Sequence, residues 1–452
     1  MGDVRCLSHL AGGDLKTRLR RLTVVGFALV VLVGLAACES EPEPLEDRPA
    51  GNAEEEDDDD DDFIAGEPDD DEDVVTVGLL NPLTGPYATV GEEVNDGVAL
   101  YLDESDGELG DFSANVLVED ETNDREAARE NTERLVDLGG VDVVLGFANS
   151  RVAYDASSYL VDEGIPLMIT VAGADDLTQR NAAETIYRVS HSSSQEAMPM
   201  GAYACEELGY QTVSIIALDY AFGWEAAGGF ARAYTDAGCE VVQETYVPLD
   251  EEDWAPFVQR IDEDVDAVWA ATSGPDSIRF VQAYRDVGVG HPLIGTGGLT
   301  DEEVLAQQRA IAEDIVTSST YSAALDSPEN AEFVAAFEEA YGRAPSRYAE
   351  SGYAAAMMLD EALAGVSRAS PAAITDALRD VAVDAPRGPL RFDEYGQAVH
   401  HVYARRVEEL AGEWRNTVIE DLGETTQFWT YDPEEYLDDP PYEDLRETWS
   451  GL

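Results

Sequence analysis

Residues 137–170 run Asp137-Leu138-Gly139-Gly140-Val141-Asp142-Val143-Val144-Leu145-Gly146, then Phe147-Ala148-Asn149-Ser150, then Val152–Asp162, then Glu163-Gly164-Ile165-Pro166-Leu167-Met168-Ile169-Thr170. Val141–Phe147 and Pro166–Thr170 are short runs rich in β-branched residues, apolar on both faces. The segment between them spaces its apolar residues at three and four. A strand, a helix and a second strand in this order predict a βαβ unit and a parallel sheet covered on both sides. The same alternation extends outward. Val74–Leu80 and Asn115–Glu119 read as strands, with Glu92–Leu102 and Arg125–Leu138 as helices. Further on, strands are expected at Thr212–Leu218, Glu240–Val247, Ala267–Ala271 and Pro292–Gly295. Helices Ser193–Leu208, Trp224–Ala237 and Ser277–Val287 lie among them. Two such sets exceed what one sheet comfortably holds, so the expectation is α/β with two doubly wound lobes. A helical block, Asn330–Asp380, and late strands Gly388–Phe392, Val399–Arg406 and Arg415–Glu420 are shared between them.

Charge bounds the partners. The chain has 452 residues, with 27 Lys+Arg against 95 Asp+Glu and a formal net charge of −68. Nucleic acid and anionic lipid need basic surface, so both are excluded as partners of the folded part. At 44% hydrophobic the chain is not disordered as a whole; the acidity resembles that of salt-adapted surfaces, where high salt screens the repulsion. Arg18, Arg20 and Arg21 precede an apolar run from Leu22 that ends in Leu35-Ala36-Ala37-Cys38. This reads as a secretory signal over residues 1–37, and its end resembles the bacterial lipoprotein cleavage site, which implies a lipid on Cys38. An uncleaved anchor is the competing reading, and Arg20-Arg21 leaves twin-arginine export open. Residues 38–73 follow as an acidic tether, with nine consecutive carboxylates from Glu54 to Asp62. Like charges extend such a run.

The order of motifs resembles a known family. Val77-Gly78-Leu79-Leu80-Asn81-Pro82-Leu83-Thr84-Gly85-Pro86, the 137–170 stretch, Asp219-Tyr220-Ala221-Phe222-Gly223, Gly295-Thr296-Gly297-Gly298-Leu299-Thr300-Asp301 and Gly388-Pro389-Leu390-Arg391-Phe392-Asp393 follow one another as in periplasmic branched-chain amino acid (Leu/Ile/Val) binding proteins. The resemblance implies the type I periplasmic-binding-protein fold, with three hinge crossovers near Val189–His191, Ser318–Tyr321 and Val399–Val402. Lobe I is then 74–190 plus 321–400, lobe II 191–320 plus 401–425, and 426–452 an acidic C-terminal tail. It further implies an extracytoplasmic, monomeric receptor that meets the membrane through its lipid alone. The receptor binds a branched-chain amino acid or related small carboxylate in the cleft between the lobes and hands it to ABC permease and ATPase subunits, and it uses no cofactor. A ligand sensor of the same fold, feeding a signalling partner, is the alternative role.

Ligands of open parallel sheets sit at the carboxyl ends of strands, where loops enter helix N-termini. Asn149 and Ser150 lie in such a loop. The family uses this serine and nearby N–H groups to hold the ligand carboxylate, while the plain alternative is a helix cap. Ala172-Gly173-Ala174 stands where relatives place a Ser or Thr, so backbone groups alone would serve there. Tyr87, Tyr220 and Phe222 are candidate aromatic walls, Ser273 sits in the next strand-end loop, and Tyr321 lines a crossover. Amino acid binders of the family place an acid in the loop at Gly297 to meet the ligand ammonium; this chain has glycine there and Asp301 further on, read as a helix cap. An unpaired buried ammonium costs several kcal/mol. Either Asp276 or another carboxylate takes that role, or the ligand is an aromatic or aliphatic carboxylate without an amino group.

Cysteine and histidine point away from an enzyme. Cys6 leaves with the signal, and Cys205 and Cys239 are an even pair expected to form a disulfide, two free thiols being the alternative. His191, His291, His400 and His401 have no partners at metal or triad spacing, and neither a Gly-x-Ser-x-Gly elbow nor a P-loop is present.

Overall fold

The computed structural model describes residues 73–446 and 449, except 123 and 250. The expected export signal, the expected lipid site at Cys38 and the expected acidic tether, up to residue 72, lie outside them. Fifteen strands follow in chain order: β1 (Val74–Asn81), β2 (Glu108–Leu109), β3 (Phe112–Asp120), β4 (Val143–Gly146), β5 (Leu167–Ile169), β6 (Ile186–Arg188), β7 (Thr212–Leu218), β8 (Glu240–Val247), β9 (Ala267–Ala271), β10 (Leu293–Thr296), β11 (Val316–Ser319), β12 (Ala382–Ala385), β13 (Gly388–Phe392), β14 (Ala398–Leu410) and β15 (Glu413–Thr425). The first sheet has order β2-β3-β1-β4-β5-β6 and is parallel apart from β2. The second runs β12-β13-β14-β11-β10-β9-β7-β8, with β15 on β14; its β8-β7-β9-β10-β11 part is parallel and the rest antiparallel.

Both faces of the central parallel strands of each sheet are covered, and β4, β5, β9 and β10 are buried along their whole length. Val75, Val77 and Leu79 of β1 pack under helices Ala88–Glu104 and Arg347–Leu363. Leu80 and Val144 face the helices Arg125–Asp137 and Ser150–Glu163. In the second lobe Val213, Ile215 and Ala217 pack with helices Ser193–Glu206 and Ala221–Asp236, and Ile216 and Leu218 with Gly274–Val287. The alternation along each strand sorts its residues between two cores. The chain passes between lobes three times. It leaves β6 for the helix at Ser193, leaves β11 for the helix Pro328–Tyr341 packed beside Leu100, and returns along β14, whose Ala398 lies in the first core and Val407 in the second.

Two features differ from the sequence reading or were absent from it. β6 and β11, three and four residues long, carry too little pattern to announce themselves as strands. The C-terminal segment, read as an acidic tail, packs down to residue 446. Phe428, Tyr436 and Tyr442 are buried with Met198 and Ala233, and the Arg232 guanidinium lies 4.3 Å from the Tyr431 ring centre. Apolar ring area outweighs the charge there. Cys205 and Cys239 are joined across 34 residues, a closure that contributes roughly 3–4 kcal/mol on the loop-entropy argument. Among the described residues no helix is long and apolar enough to cross a membrane.

The contact that seats the helix Arg347–Leu363 depends on glycine. A Cβ on Gly97 would stand 1.9 Å from the Ala349 carbonyl oxygen, and one on Gly352 2.1 Å from that of Val94. Backbone cannot yield as a side-chain tip does, so Gly97→Leu must force the two helices apart. We expect a loss of about 3 kcal/mol, at the upper end for overpacking, read from urea melts. An unchanged midpoint would mean that the helices slide without cost.

Candidate functional site

The carboxyl ends of both parallel sheets face each other across a cleft. It encloses about 900 Å³ of space not filled by atoms, its open mouth included. Lobe I contributes Pro82, Tyr87 and Val90 after β1, Glu121 after β3, Ala148–Ser150 after β4, Thr170, Val171 and Gly173 after β5, and Ser190 and His191 after β6. Lobe II contributes Tyr220 and Phe222 after β7, Leu249 after β8 and Ser273 after β9. Thr320, Arg347, Tyr348, Ser351 and Arg387 complete the wall.

Seven residues singled out in the sequence therefore meet here: Tyr87, Asn149, Ser150, Gly173, Tyr220, Phe222 and Ser273. Four do not reach the wall. Ala172 and Ala174 lie just behind it, their carbonyls accepting from Arg188 Nη1 at 3.2 and 2.7 Å. Tyr321 is buried edge-on to Phe333, and its carbonyl accepts from Arg405 Nη1 at 2.8 Å. Gly297 is one layer out, donating its N–H to Glu196 Oε1 at 2.7 Å. Two roles are reassigned. Asn149, not Ser150, caps the helix Ser150–Glu163 by accepting from the Arg151 N–H at 3.0 Å. The Ser150 hydroxyl instead accepts from the Ala174 N–H at 3.1 Å, which leaves its own proton free to point at a ligand. Asp301 makes no side-chain cap; it faces Arg347 Nε at 3.4 Å and Arg405 Nη1 at 3.5 Å.

The sequence reading missed the charged groups. Arg347 Nη1 pairs with Glu196 Oε2 at 3.0 Å, and His191 Nε2 meets the same oxygen at 2.7 Å. Burial works to raise the Glu196 carboxyl, but His191, Arg347 and the Gly297 N–H prevail and hold it at about 2. Burial in turn lowers His191 in spite of Glu196, so at neutral pH the imidazole is neutral and Arg347 is the cation of the cluster. Among the described residues Arg347 Nη2 hydrogen-bonds the Tyr348 hydroxyl alone, at 3.3 Å, and keeps an N–H to spare. Arg387 donates from Nε to Glu350 Oε2 at 2.7 Å and from Nη1 to the Val189 carbonyl at 3.1 Å. Glu121 accepts the Ala148 and Asn149 N–H groups at 2.7 Å each, yet burial pushes it up to about 8. Thr170 Oγ1 and Ser190 Oγ are buried on the wall with no partner. Unpartnered buried hydroxyls cost free energy unless a ligand or water answers them.

Glycine at 297 now has a physical reason. A Cβ there would lie 2.7 Å from Glu196 Oε1 and 2.8 Å from Arg347 Nη1. An ion pair fills the place where an acidic side chain was expected.

A family profile described as periplasmic binding protein matches residues 74–413, most of the described chain. The chain belongs to the periplasmic binding protein family. Its fold is the type I fold of that family. This periplasmic binding protein is 30% identical over 347 residues to Leu/Ile/Val-binding protein homolog 6 of Brucella melitensis biotype 1, covering 74% of this chain and 88% of the relative. It is similar to a solved ABC transporter substrate-binding protein from Sphaerobacter thermophilus, at 31% identity and a TM-score of 0.73, over 77% of this chain and 97% of that one. A solved solute-binding protein of an ABC transporter from Rhodopseudomonas palustris BisB5, in complex with 3,4-dihydroxybenzoic acid, matches at 28% identity and a TM-score of 0.75, over 78% of this chain and 99% of that one. Family and solved neighbours are solute-binding proteins, not enzymes.

Proposed function

We propose that this chain is the extracytoplasmic substrate-binding component of an ABC importer, held at the membrane by a lipid on Cys38, and that its cleft takes a small aromatic carboxylate. The observation that carries this reading is the pairing of aromatic walls with spare cationic donors. Tyr87, Tyr220, Phe222 and Tyr348 offer aromatic rings, while Arg347 and the unpartnered hydroxyls of Thr170 and Ser190 offer donors to a carboxylate. Glu196 and Glu350 are already committed to arginines, so neither is free for a ligand ammonium. The solute-binding protein solved with 3,4-dihydroxybenzoic acid supports the same ligand class.

Glu121 favours a second reading. It is the one cavity carboxyl with no arginine among the described residues, and an ionised Glu121 could face the ammonium of a branched-chain amino acid, as the Leu/Ile/Val-binding relative's name suggests. A thermal-shift series in high salt separates the two. Benzoate and 3,4-dihydroxybenzoate at a hundredfold excess over Kd should stabilise by about 2.7 kcal/mol, with leucine and valine inert. Stabilisation by leucine or valine, and none by the benzoates, overturns the aromatic reading.

A further inference from the structure

Beside the ligand cavity the cleft holds a second one. It lies between the helix Ser150–Glu163 and residues 175–181 of lobe I, the helix Ala221–Asp236 of lobe II, and residues 436–443 of the C-terminal segment; it encloses about 810 Å³ of space not filled by atoms, its mouth included. Its wall carries an acidic residue from each lobe, Asp175 and Glu225, joined by one backbone hydrogen bond. The Asp175 N–H donates to Glu225 Oε2 at 3.0 Å. Asp175 is 3% exposed, and its Oδ1 accepts from the Ser194 N–H at 3.1 Å, but its Oδ2 has no partner.

The neighbouring charges do not balance this pair. Asp176 is matched by Arg180 at 2.8 Å and Asp439 by Arg232 at 2.9 Å. Arg188 alone lies close behind, and its N–H groups go to Gln397 Oε1, the Ala172 and Ala174 carbonyls, the Thr178 hydroxyl and the Asp175 carbonyl rather than to either carboxylate. With both ionised, two carboxylates against one guanidinium would leave a surplus of one negative charge in a desolvated place, which only a proton or a cation can answer. Burial and mutual repulsion push Glu225 well up, and burial pushes Asp175 up, as expected of a pair that lacks a counter-ion.

We infer that this cavity binds a monovalent cation between Asp175 and Glu225. A surplus of one charge sets the valence, and among the described residues no group of three His, Cys, Asp or Glu gathers as a divalent or transition-metal shell requires. The rings of Tyr154 and Trp224 on the same wall suit an organic ammonium as well as they tolerate an alkali ion. Because the two carboxylates belong to opposite lobes, a cation held by both favours the closed cleft. Cation and solute then raise each other's affinity.

The test needs no knowledge of the solute, so it stands or falls separately from the proposed function. Melting temperatures of the purified full chain are measured at pH 8 and fixed ionic strength in sodium, potassium, methylammonium or N-methylglucamine chloride. A saturable rise of roughly 3 °C over N-methylglucamine is expected. A rise in sodium or potassium alone assigns an alkali ion; a rise in methylammonium assigns an organic ammonium. Glu225→Gln, which keeps an acceptor for the Asp175 N–H, should abolish the rise and melt no lower than the parent chain in N-methylglucamine. Glu443→Gln, on the rim of the same cavity, should retain it. Equal melting in all four salts, or an undiminished rise in Glu225→Gln, overturns the inference.

Discussion

Arg347→Ala is expected to weaken carboxylate binding roughly 30-fold or more and to lower unfolding stability by about 3–5 kcal/mol. The stability loss follows from what remains. Glu196 is 0% exposed and would keep only His191, which burial holds neutral, and the Gly297 N–H. Asp301, also buried, would keep only Arg405 at 3.5 Å. The binding loss follows from the place of Arg347 on the cavity wall beside Tyr348, with an N–H to spare. Misfolding is separated from lost recognition by the pair Arg347→Met with Glu196→Gln. That pair removes both charges and keeps an acceptor for Gly297, so stability should largely return while binding does not. Urea melts and a titration with benzoate read the two effects independently. Full binding by the double variant would show that Arg347 only supports the wall.

Most of the architecture was legible because burial on both faces leaves a strand no freedom to vary. β9 is apolar end to end, β1 and β7 are mostly so, and each helix after them is spaced to cover a sheet. The aromatic residues and Ser150 were legible for a related reason, since strand-end loops are fixed by the strands that precede them. Arg347 was not. In sequence it is a polar residue in the first turn of an amphipathic helix, after the capping Ser346, where arginine usually meets water. Only the approach from the other lobe of Glu196, 151 residues away, and of Asp301 makes it buried and paired. Thr170 was passed over for the loop that follows it, because the short β5 ends one residue earlier than its sequence pattern. The C-terminal segment misled through composition: its carboxylates announce solvent, but its tyrosines and Phe428 find a groove on lobe II that no local pattern reveals.

Glu121→Gln should make the protein less stable than the parent at pH 5 and more stable at pH 8.5. The folded-state carboxyl is pushed by burial from an ordinary 4.5 to about 8. Between those values the unfolded chain has released this proton and the folded chain still holds it. The folded state thus binds more protons, and stability falls as pH rises through the window. A shift of this size is on the order of 5 kcal/mol, absent below pH 4.5 and complete above pH 8. Glutamine has nothing to release, but it offers one oxygen to two N–H groups, which costs about 1 kcal/mol at every pH. Glu93, Glu225, Glu302 and Glu303 are also raised, and they contribute equally to both chains, so the difference between the two melts isolates Glu121. Equal slopes for parent and variant from pH 5 to 8.5 would mean that Glu121 ionises as an exposed carboxyl does. The same proton bears on the ligand. While Glu121 keeps it, the cavity presents a carboxylate ligand with a neutral neighbour; above pH 8 it presents an anion at buried range. Benzoate affinity should therefore drop as pH passes 8 in the parent chain and stay level in Glu121→Gln. A branched-chain amino acid would behave in the opposite sense, its ammonium gaining from the ionised Glu121 over the lower part of that range, so one pH titration of each ligand ties this carboxyl to the choice between them.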